Sequence, residues 1–565
     1  MSIAEAGYRT LIDALESAPD ERLFVLEWHD ENEHSAVTFG EFRSRANGQA
    51  SYLKQHGVRC GDRIVLVMPQ GIGLMIAFVG SMLLGAVPAI LGYPNTKVEH
   101  EKYRSGLKGV TANLNAPFVI VDANFPQELL GSVSRSGDTK LLCSPGFTES
   151  VGELVAADRS IQPQSLAFIQ HSSGTTGLQK GVALSHAAVL RQLDHLSKTL
   201  RISAADRFYS WLPLYHDMGL IACFMLPMVC HLSVVMQAPG EWVQRPETML
   251  KLIHDYRCTR AWLPNFAFQF IPRRTPEGSR SQYDLSSIRA LINCSEPVKT
   301  QSMNEFYEAF SSQGIKRQAL QSSYAMAENV FAVTQSTADG PRQIYADSLR
   351  FRNEHFIHEV SSDAQGAISF TSSGRLLPQN EARIVSETGE ALPSGRVGEI
   401  LIKSDSLFEG YYNRPDLTAQ AMADGWYCTG DLGFFQDGEL FVVGRKKDLL
   451  IVGGENIYPQ DVEELVSGHP AIHDGRVVAM GLFNSDLGTE DIAVVAEVES
   501  EESLQDAVPI EREIRASVLA QLAVAVRFVF LKPPKWIVKS TAGKPARSAT
   551  REKLFREHPG LQRPI

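Results

Sequence analysis

The 565-residue sequence predicts an α/β fold. It comprises a large N-terminal domain of parallel-rich sheets with helices plus a small β-rich subdomain, followed by a small α+β C-terminal domain. Short apolar runs alternate with helix-like segments from residue 37 to about 310, which is typical of parallel sheets covered by helices. After residue 370 the pattern changes to short strands separated by turn residues. We place a boundary near residue 446, giving domains 1–445, with the β-rich subdomain at about 370–445, and 446–565.

The first elements show this alternation. Residues 37–56 predict a short strand and an amphipathic helix, and "DRIVLVMP" predicts a further strand. The uncharged stretch 72–92 is long enough to span a bilayer. However, Gly85 divides it, so we interpret it as a buried helix followed by the strand "AVPAIL" and expect no membrane insertion.

A glycine-rich loop, "HSSGTTGLQKGVALSH" at 171–186, follows the strand-like run "SLAFIQHSS". Small hydroxyls, exposed backbone N–H groups and one cation, Lys180, suit phosphate oxygens. The spacing differs from that of the P-loop NTPases. Because leucines at helical spacing follow, we expect the loop to lie between a strand and a helix, where backbone N–H groups converge on an anion.

Composition excludes several classes of protein. The net charge is −11, so no global basic field attracts nucleic acid, and we expect no nucleic-acid partner. The seven cysteines are scattered without a C-x-x-C pair, which excludes a zinc site or a disulfide framework. Reduced thiols predict a cytoplasmic protein.

Five further clusters carry chemistry, and each also has a plain structural interpretation. "WLPLYHDMGL" contains His216 beside Asp217, and "INCSEP" ends a strand with small polar groups; both patterns are also compatible with ordinary turns. "SSYAMAEN" carries Glu328, which is able to cap a helix or, facing phosphates, to hold Mg²⁺. "GWYCTGDLG" places Asp431 after a glycine, either as a turn residue or as an acceptor for a ribose diol. "VKSTAGKPARSATR" carries Lys544, in what is otherwise a solvated tail.

In order and spacing, these motifs resemble the adenylate-forming superfamily of acyl-CoA synthetases, peptide-synthetase adenylation domains and luciferases. The resemblance extends from about residue 37 to 552. It implies an N-terminal domain that binds an acid and ATP, and a small mobile C-terminal domain that rotates between two half-reactions. The first half-reaction makes acyl-AMP and pyrophosphate, and the second passes the acyl group to a thiol.

The resemblance also assigns roles to residues, with ATP and Mg²⁺ as cofactors. For the nucleotide it implies contacts to the β- and γ-phosphates from Thr175, Thr176, Gly177 and Lys180, to the adenine from Ser295, Glu296 and Tyr324, and to the ribose from Asp431 and Arg445. Glu328 matches the Mg²⁺ ligand, and Lys447 matches the hinge. The residues assigned to catalysis are Lys544, which bridges the carboxylate and the α-phosphate, and His216, near the acyl entrance.

The motifs "WLPLYHDMGLI", "LINCSEPV" and "GRKKDLLIVGGENIYPQDVE" are similar to those of the fatty acyl-AMP ligases. That branch implies a fatty acid as substrate and an acyl carrier protein as acceptor. No carrier domain follows residue 552, so we expect the carrier to be supplied in trans, unless the sequence is part of a longer chain. The branch also carries an extra segment, for which 341–365 is the candidate. It is proposed to hinder movement into the CoA-competent state; the alternative is a lengthened surface loop.

Departures from the family pattern leave alternatives open. Trp262 stands where a glycine is common, and a bulky ring beside the acyl tunnel would shorten it, which leaves medium-chain, branched, aryl and amino-acid substrates open. The alternatives are an acyl-CoA synthetase using free CoA and a stand-alone amino-acid or aryl-acid adenylation enzyme. A non-catalytic acyl-binding protein is disfavoured, because Lys544, Glu328 and Asp431 are all present.

Overall fold

The structure is a computed structural model that describes residues 3–94, 100–132, 139–145, 160–171, 180–337, 339–452, 455–484, 489–522, 524–539 and 545–561. Its first part contains α1 (Ile3–Ala6), α2 (Leu11–Glu16), β1 (Leu23–Trp28), β2 (His34–Thr38), α3 (Phe39–Gln55), β3 (Arg63–Val67), α4 (Ile72–Leu83), β4 (Val87–Ile90), α5 (His100–Leu114), β5 (Phe118–Val121) and β6 (Lys140–Cys143). Strands β4-β3-β5-β6 form a parallel sheet.

The interpretation of residues 72–92 is confirmed. They form the buried helix α4 and the buried strand β4, and Gly85 lies between them with a φ of +68°, which only glycine adopts without strain. Within the described ranges, the search for a helix with the length and apolar character needed to cross a membrane found none.

The next part of the chain builds the large sheet. It contains β7 (Leu166–His171), β8 (Gly181–Ser185), α6 (His186–Thr199), β9 (Arg207–Ser210), α7 (Leu226–Val229), β10 (Ser233–Gln237), α8 (Pro239–Gln244), α9 (Thr248–Tyr256), β11 (Arg260–Leu263), α10 (Asn265–Arg274), α11 (Glu277–Arg280), β12 (Ala290–Asn293), α12 (Thr300–Phe310), β13 (Leu320–Ala325) and β14 (Ala332–Gln335). Strands β1, β10, β9, β11, β12 and β13 are parallel neighbours. Their carboxyl ends therefore share one edge, where open α/β sheets bind ligands.

The expected context of the glycine-rich loop was wrong. The run "GVALS" is not a continuation of the loop but the buried strand β8, which pairs antiparallel with β7 and places His171 opposite Gly181. The loop thus connects two antiparallel strands, and helix α6 begins only at His186. Residues 172–179 lie outside the described residues.

The predicted β-rich region is confirmed. It contains β15 (Gln343–Asp347), α13 (Ser348–Glu354), β16 (Ala367–Thr371), β17 (Arg375–Leu376), β18 (Asn380–Val385), β19 (Gly398–Ser404), β20 (Gly410–Tyr411), α14 (Pro415–Ala421), β21 (Met422–Ala423), β22 (Trp426–Gln436), β23 (Glu439–Arg445) and β24 (Leu450–Val452). Strands β18, β19, β21, β22 and β23 form an antiparallel sheet. Asp431 lies within β22, so its placement in a tight turn was wrong; only Gly430, with a φ of +70°, bends the strand there.

The remaining elements form an α+β unit, as expected: β25 (Glu455–Ile457), α15 (Pro459–Ser467), β26 (Ile472–Asn484), β27 (Thr489–Val498), α16 (Ala507–Leu522), β28 (Val526–Lys532) and α17 (Arg547–Glu557). Strands β26, β27 and β28 form a sheet with its own apolar cluster, to which α15 contributes Val462 and α16 contributes Val518. A three-residue helical turn, Lys446–Asp448, precedes this unit. The boundary at residue 446 stays a prediction.

Candidate active site

Asp431 joins two other residues assigned to the nucleotide. The Tyr324 hydroxyl donates a 2.5 Å hydrogen bond to Asp431 Oδ2, and Arg445 Nε lies 3.4 Å from Asp431 Oδ1. Strand pairing explains the arrangement, because Asp431 on β22 lies opposite Arg445 on β23. Burial raises the pKa of the Asp431 carboxyl, although Arg445 and Tyr324 act in the opposite direction. The carboxyl group is thus held by one hydrogen bond and one ion pair, and its contact with a ribose stays a prediction.

Glu328 lies in a short helical turn, Ala327–Asn329, directly after β13. Its Oε1 accepts a 2.7 Å hydrogen bond from the Tyr411 hydroxyl, and that hydroxyl lies 3.1 Å from the hydroxyl of Tyr427. The Glu328 carbonyl accepts a 2.8 Å hydrogen bond from the Phe408 N–H. Side chain and backbone of Glu328 are therefore both held by the β-rich region.

The backbone after Glu328 is strained. Val330 has φ +61° and ψ −53°, and the Phe331 N–H donates to the Asn329 carbonyl at 2.6 Å. This is the γ-turn with a positive central φ, a rare conformation that is especially costly for a β-branched residue. Such strain persists only where the surroundings hold it, and it concentrates at functional sites.

Lys180 lies beside the same cluster. Its ammonium nitrogen is 4.4 Å from the centroid of the Tyr411 ring. The contact follows from strand pairing, because β20 lies antiparallel to β8 and places Tyr411 opposite Val182, two residues after Lys180. The other residues predicted to bind phosphate, Thr175, Thr176 and Gly177, lie outside the described residues, as does Lys544, so their roles stay predictions.

Ser295 and Glu296 follow β12 at the carboxyl edge of the large sheet. Ser295 has a φ of +71°, and its Oγ donates to Met218 Sδ at 3.7 Å. Glu296 Oε2 accepts a 3.0 Å hydrogen bond from the Phe266 N–H, in the first turn of α10. The structure thus places Glu296 at a helix N-terminus, where a carboxylate is stabilised. Its predicted proximity to an adenine stays a prediction.

His216 and Asp217 begin an unusual element. His216 Nδ1 lies 2.6 Å from Asp217 Oδ1, which also accepts a 2.7 Å hydrogen bond from the Met218 N–H. The π-helix Met218–Met225 follows, and such helices are frequent at functional sites. Gly219 is required there, because a Cβ would lie 2.3 Å from the Pro213 carbonyl oxygen. The assignment of His216 to the acyl entrance stays a prediction.

Trp262 is completely buried in β11. Its ring stacks on that of Phe208 with centroids 5.9 Å apart and planes 12° apart. The indole N–H finds no hydrogen-bond partner in the part of the chain that the structure describes. The ring therefore fills interior volume against Phe208, and its expected position beside the acyl tunnel stays a prediction.

Lys447 lies just before the C-terminal unit, whereas Lys544 lies outside the described residues. Lys447 is exposed in the turn that links β23 to β24. Arg547, at the start of α17, donates to Asp448 Oδ2 at 2.9 Å and to Glu463 Oε1 at 2.6 Å. These ion pairs connect the start of α17 to the turn Lys446–Asp448 and to α15, and the hinge role of Lys447 stays a prediction. Sequence reasoning missed Arg547 and Tyr411, since neither carries a local signal of its own.

The donors present suit Mg²⁺ delivered with a nucleotide. Among the described residues, a search for clusters of three or more His, Cys, Asp or Glu able to hold a metal found none. Mg²⁺ typically binds one or two carboxylates together with substrate phosphates and water, rather than an all-protein cage. Glu328 is one such carboxylate, and the Lys180 ammonium lies over the ring of Tyr411, whose hydroxyl contacts Glu328.

Comparisons with known proteins agree with this geometry. The chain is 29% identical to the long-chain-fatty-acid–AMP ligase FadD32 of Mycolicibacterium smegmatis, over 91% of this chain and 88% of the relative. It is 28% identical to the medium-chain-fatty-acid–[acyl-carrier-protein] ligase JamA of Moorena producens, over 98% and 96%. A solved structure from a study of fatty acyl-adenylate ligases of E. coli and L. pneumophila superimposes with a TM-score of 0.89 at 26% identity, covering 99% of each chain. The family described as AMP-binding enzyme matches residues 13–412, and the chain belongs to that family.

Proposed function

We propose that this protein is a fatty acyl-AMP ligase. A carboxylate oxygen of the fatty acid attacks the α-phosphorus of ATP, the bond from that phosphorus to the bridging oxygen breaks, and acyl-AMP and pyrophosphate form. In the second step a carrier thiol loses its proton and attacks the acyl carbon, and AMP leaves with the bonding electrons. One observation carries the proposal. The Tyr324 hydroxyl lies 2.5 Å from Asp431 Oδ2, and Arg445 Nε lies 3.4 Å from Asp431 Oδ1.

The residues divide the work of the first step. Asp431 accepts hydrogen bonds from the ribose, and the Tyr324 ring lies beside the same site. Lys180 and the adjacent loop hold the β- and γ-phosphates, and Glu328 holds Mg²⁺, which when bound offsets phosphate charge. Fixed cations and donors of this kind stabilise the charge that develops on the phosphates. Lys544 lowers the repulsion between the carboxylate and the α-phosphate.

We propose an acyl carrier protein as the acceptor, supplied in trans in the cytoplasm. JamA, a relative of nearly the same length, is by its name an acyl-carrier-protein ligase. Transfer to free CoA is the second candidate. The segment 341–365 favours the carrier, because it is not a plain surface loop.

That segment forms β15 and α13 and is anchored on both sides. Its residues Ile344, Phe351 and Ile357 are buried in one apolar cluster with Phe434 of β22 and with Tyr458, which precedes α15. The cluster therefore joins the β-rich region to the C-terminal unit. We propose that this attachment opposes the rotation that free CoA requires.

A mass-spectrometric assay tests the proposal. The protein is incubated with ATP, Mg²⁺ and acids from hexanoic to hexadecanoic, with free CoA, with a phosphopantetheinylated carrier protein, or with neither. We expect acyl-AMP without an acceptor, acyl-carrier with the carrier, and little acyl-CoA. Efficient acyl-CoA formation would identify an acyl-CoA synthetase instead. Adenylates only from aryl or amino acids would contradict the fatty-acid assignment.

A further inference from the structure

Tyr411 lies between two oppositely charged groups of the candidate site. One face of its ring carries the Lys180 ammonium at 4.4 Å, and its hydroxyl donates to Glu328 Oε1 at 2.7 Å. Within the described residues no ion pair joins Lys180 to Glu328. A lysine and a glutamate without a spacer would neutralise each other and compete with phosphate and metal for the same charges.

The position of Tyr411 is fixed by its surroundings. Its side chain is buried, and its backbone N–H donates to Thr418 Oγ1 at 2.9 Å. The ring packs edge-on against Phe408 at 5.0 Å, and Phe408 packs in the same way against Tyr427 at 5.5 Å. Flanking backbone hydrogen bonds run from Glu409 and Tyr412 to β8. The tyrosine is thus a rigid part of the wall.

The hydroxyl of Tyr411 is the donor in its contact with Glu328, because an ionised carboxylate oxygen only accepts hydrogen bonds. Burial and the neighbouring Glu328 carboxylate raise the pKa of the Tyr411 phenol well above its usual value. The same two causes raise the pKa of the Tyr427 phenol. A carboxylate that accepts a hydrogen bond on one oxygen keeps lone pairs for a hard cation, in a defined orientation.

We propose that Tyr411 is a positioning residue for the nucleotide–metal site: its hydroxyl orients the Glu328 carboxylate toward Mg²⁺, and its ring holds Lys180 apart from Glu328 until phosphate replaces the ring as the partner of the ammonium. The inference rests on the proposed function, since it takes Glu328 as the metal-binding carboxylate. It adds a residue from β20, a strand that pairs with the phosphate-loop strand.

Binding of Mn²⁺ together with α,β-methylene-ATP, followed by electron paramagnetic resonance, tests the proposal without turnover. Tyr411→Phe removes the hydroxyl and keeps the ring, whereas Tyr411→Leu removes both. We expect Tyr411→Phe to weaken Mn²⁺ binding about tenfold, as for loss of a hydrogen bond to a charged group, and Tyr411→Leu to weaken it further. In turnover assays the KM for ATP rises more than kcat falls.

Tyr103→Phe is the matched control, because the Tyr103 hydroxyl donates to the Gly92 carbonyl at 2.9 Å, apart from this cluster. We expect melting temperatures of the Tyr103 and Tyr411 phenylalanine variants to fall by similar amounts, and only the latter to lose Mn²⁺ affinity. In a protein that already carries Glu328→Gln, Tyr411→Phe should cause no further loss of Mn²⁺ affinity, because the effects of coupled residues are not additive.

The outcomes separate the two proposals. The role of Tyr411 would be overturned if Tyr411→Phe bound Mn²⁺ with wild-type affinity, or if Tyr411→Phe and Tyr103→Phe lost the same Mn²⁺ affinity. Neither result would contradict acyl-AMP formation by the wild type. Conversely, Mn²⁺ and nucleotide binding that depends on Tyr411, in a protein that adenylates no acid, would support the positioning role and contradict the proposed function. Failure of the wild type to bind Mn²⁺ with the nucleotide would overturn the positioning role.

Discussion

The ring of Phe351 packs against the ring of Tyr458, with centroids 5.6 Å apart and planes inclined by 29°. Phe351 lies on α13, within the candidate segment 341–365, and Tyr458 precedes α15 of the C-terminal unit. One aromatic contact therefore connects the candidate segment to the C-terminal unit.

Phe351→Ala should increase acyl-CoA formation from free CoA. Removal of a buried phenylalanine deletes its packing in the cluster and weakens the attachment of the C-terminal unit. Acyl-CoA is measured by mass spectrometry with ATP, dodecanoic acid and CoA, alongside acyl-AMP. Leu349→Ala is the control, because Leu349 lies on the same helix but is 60% exposed. Unchanged acyl-CoA in the Phe351 variant would show that this contact does not limit CoA use.

Lys544→Ala should abolish most pyrophosphate release while leaving the melting temperature unchanged. A single ammonium that contacts the carboxylate and the α-phosphate lowers their mutual repulsion in the transition state. The readout is the initial rate of pyrophosphate release with a saturating fatty acid. Arg551→Ala, which removes an exposed cation from α17, is the control for loss of positive charge. A normal rate in the Lys544 variant would exclude its assigned role.

Trp262→Ala should shift the preferred acid toward longer chains. Its ring fills fully buried space against Phe208, so its loss opens interior volume into which we expect the acyl chain to extend. The same change should lower the free energy of unfolding by about 3–5 kcal/mol, the usual range for truncating a buried aromatic residue. Competition assays with mixed acids measure the preference, and urea unfolding measures the stability. Trp262→Phe, with less volume removed, should show a smaller shift; equal chain-length profiles in all three proteins would place the acyl chain elsewhere.

Stability should fall on acidification below pH 6.5 because of two buried histidines. Burial lowers the pKa of His171 from 6.5 to about 4, and burial likewise lowers that of His186 to about 4 against a small opposing effect of Asp13. Between these values the unfolded chain binds protons that the folded chain refuses, so the free energy of unfolding rises with pH. Each histidine contributes about 1.4 kcal/mol per pH unit in this window, and the dependence ends below pH 4.

The variant His171→Phe tests this dependence directly. His171 has no hydrogen-bond partner among the described residues, so a ring of similar size removes only the titration. Urea unfolding at pH 7 and pH 5 should differ by about 2 kcal/mol less in this variant than in the wild type. His34→Gln, on the exposed part of β2, should leave the difference unchanged. A full pH dependence in the His171 variant would assign it to other groups.

Much of the fold was predictable because its signals are local. Residues 37–56 form a strand end and the helix α3 as their pattern predicts, and Gly85 separates α4 from β4 as expected. Strand β8 was missed because its five residues follow a glycine-rich run and pair with a strand before that run. Its assignment depends on a long-range partner that no periodicity reveals.

The residues of the candidate site also divide into those with local sequence signals and those that depend on long-range contacts. Tyr324, Asp431 and Arg445 were found because each belongs to a motif with fixed spacing, and the structure brings them together. Two other side chains near the site were not predicted in this way. Tyr411 and Arg547 act through contacts with residues far away in the chain, so their importance is visible only once β20 lies on β8 and α17 lies near Asp448.

The pairing of Tyr411 with Val182 also bears on how the chain acquires its structure. The two strands are separated by more than two hundred residues, so the wall behind Lys180 closes only after most of the polypeptide has left the ribosome. Non-local pairing of this kind is slow, because the chain loses the entropy of a long loop before the new contacts contribute favourable free energy. Truncated chains that end before residue 405 should therefore collapse around the parallel sheets without gaining affinity for nucleotide. The late step in folding is the pairing of the two-residue strand β20 with β8.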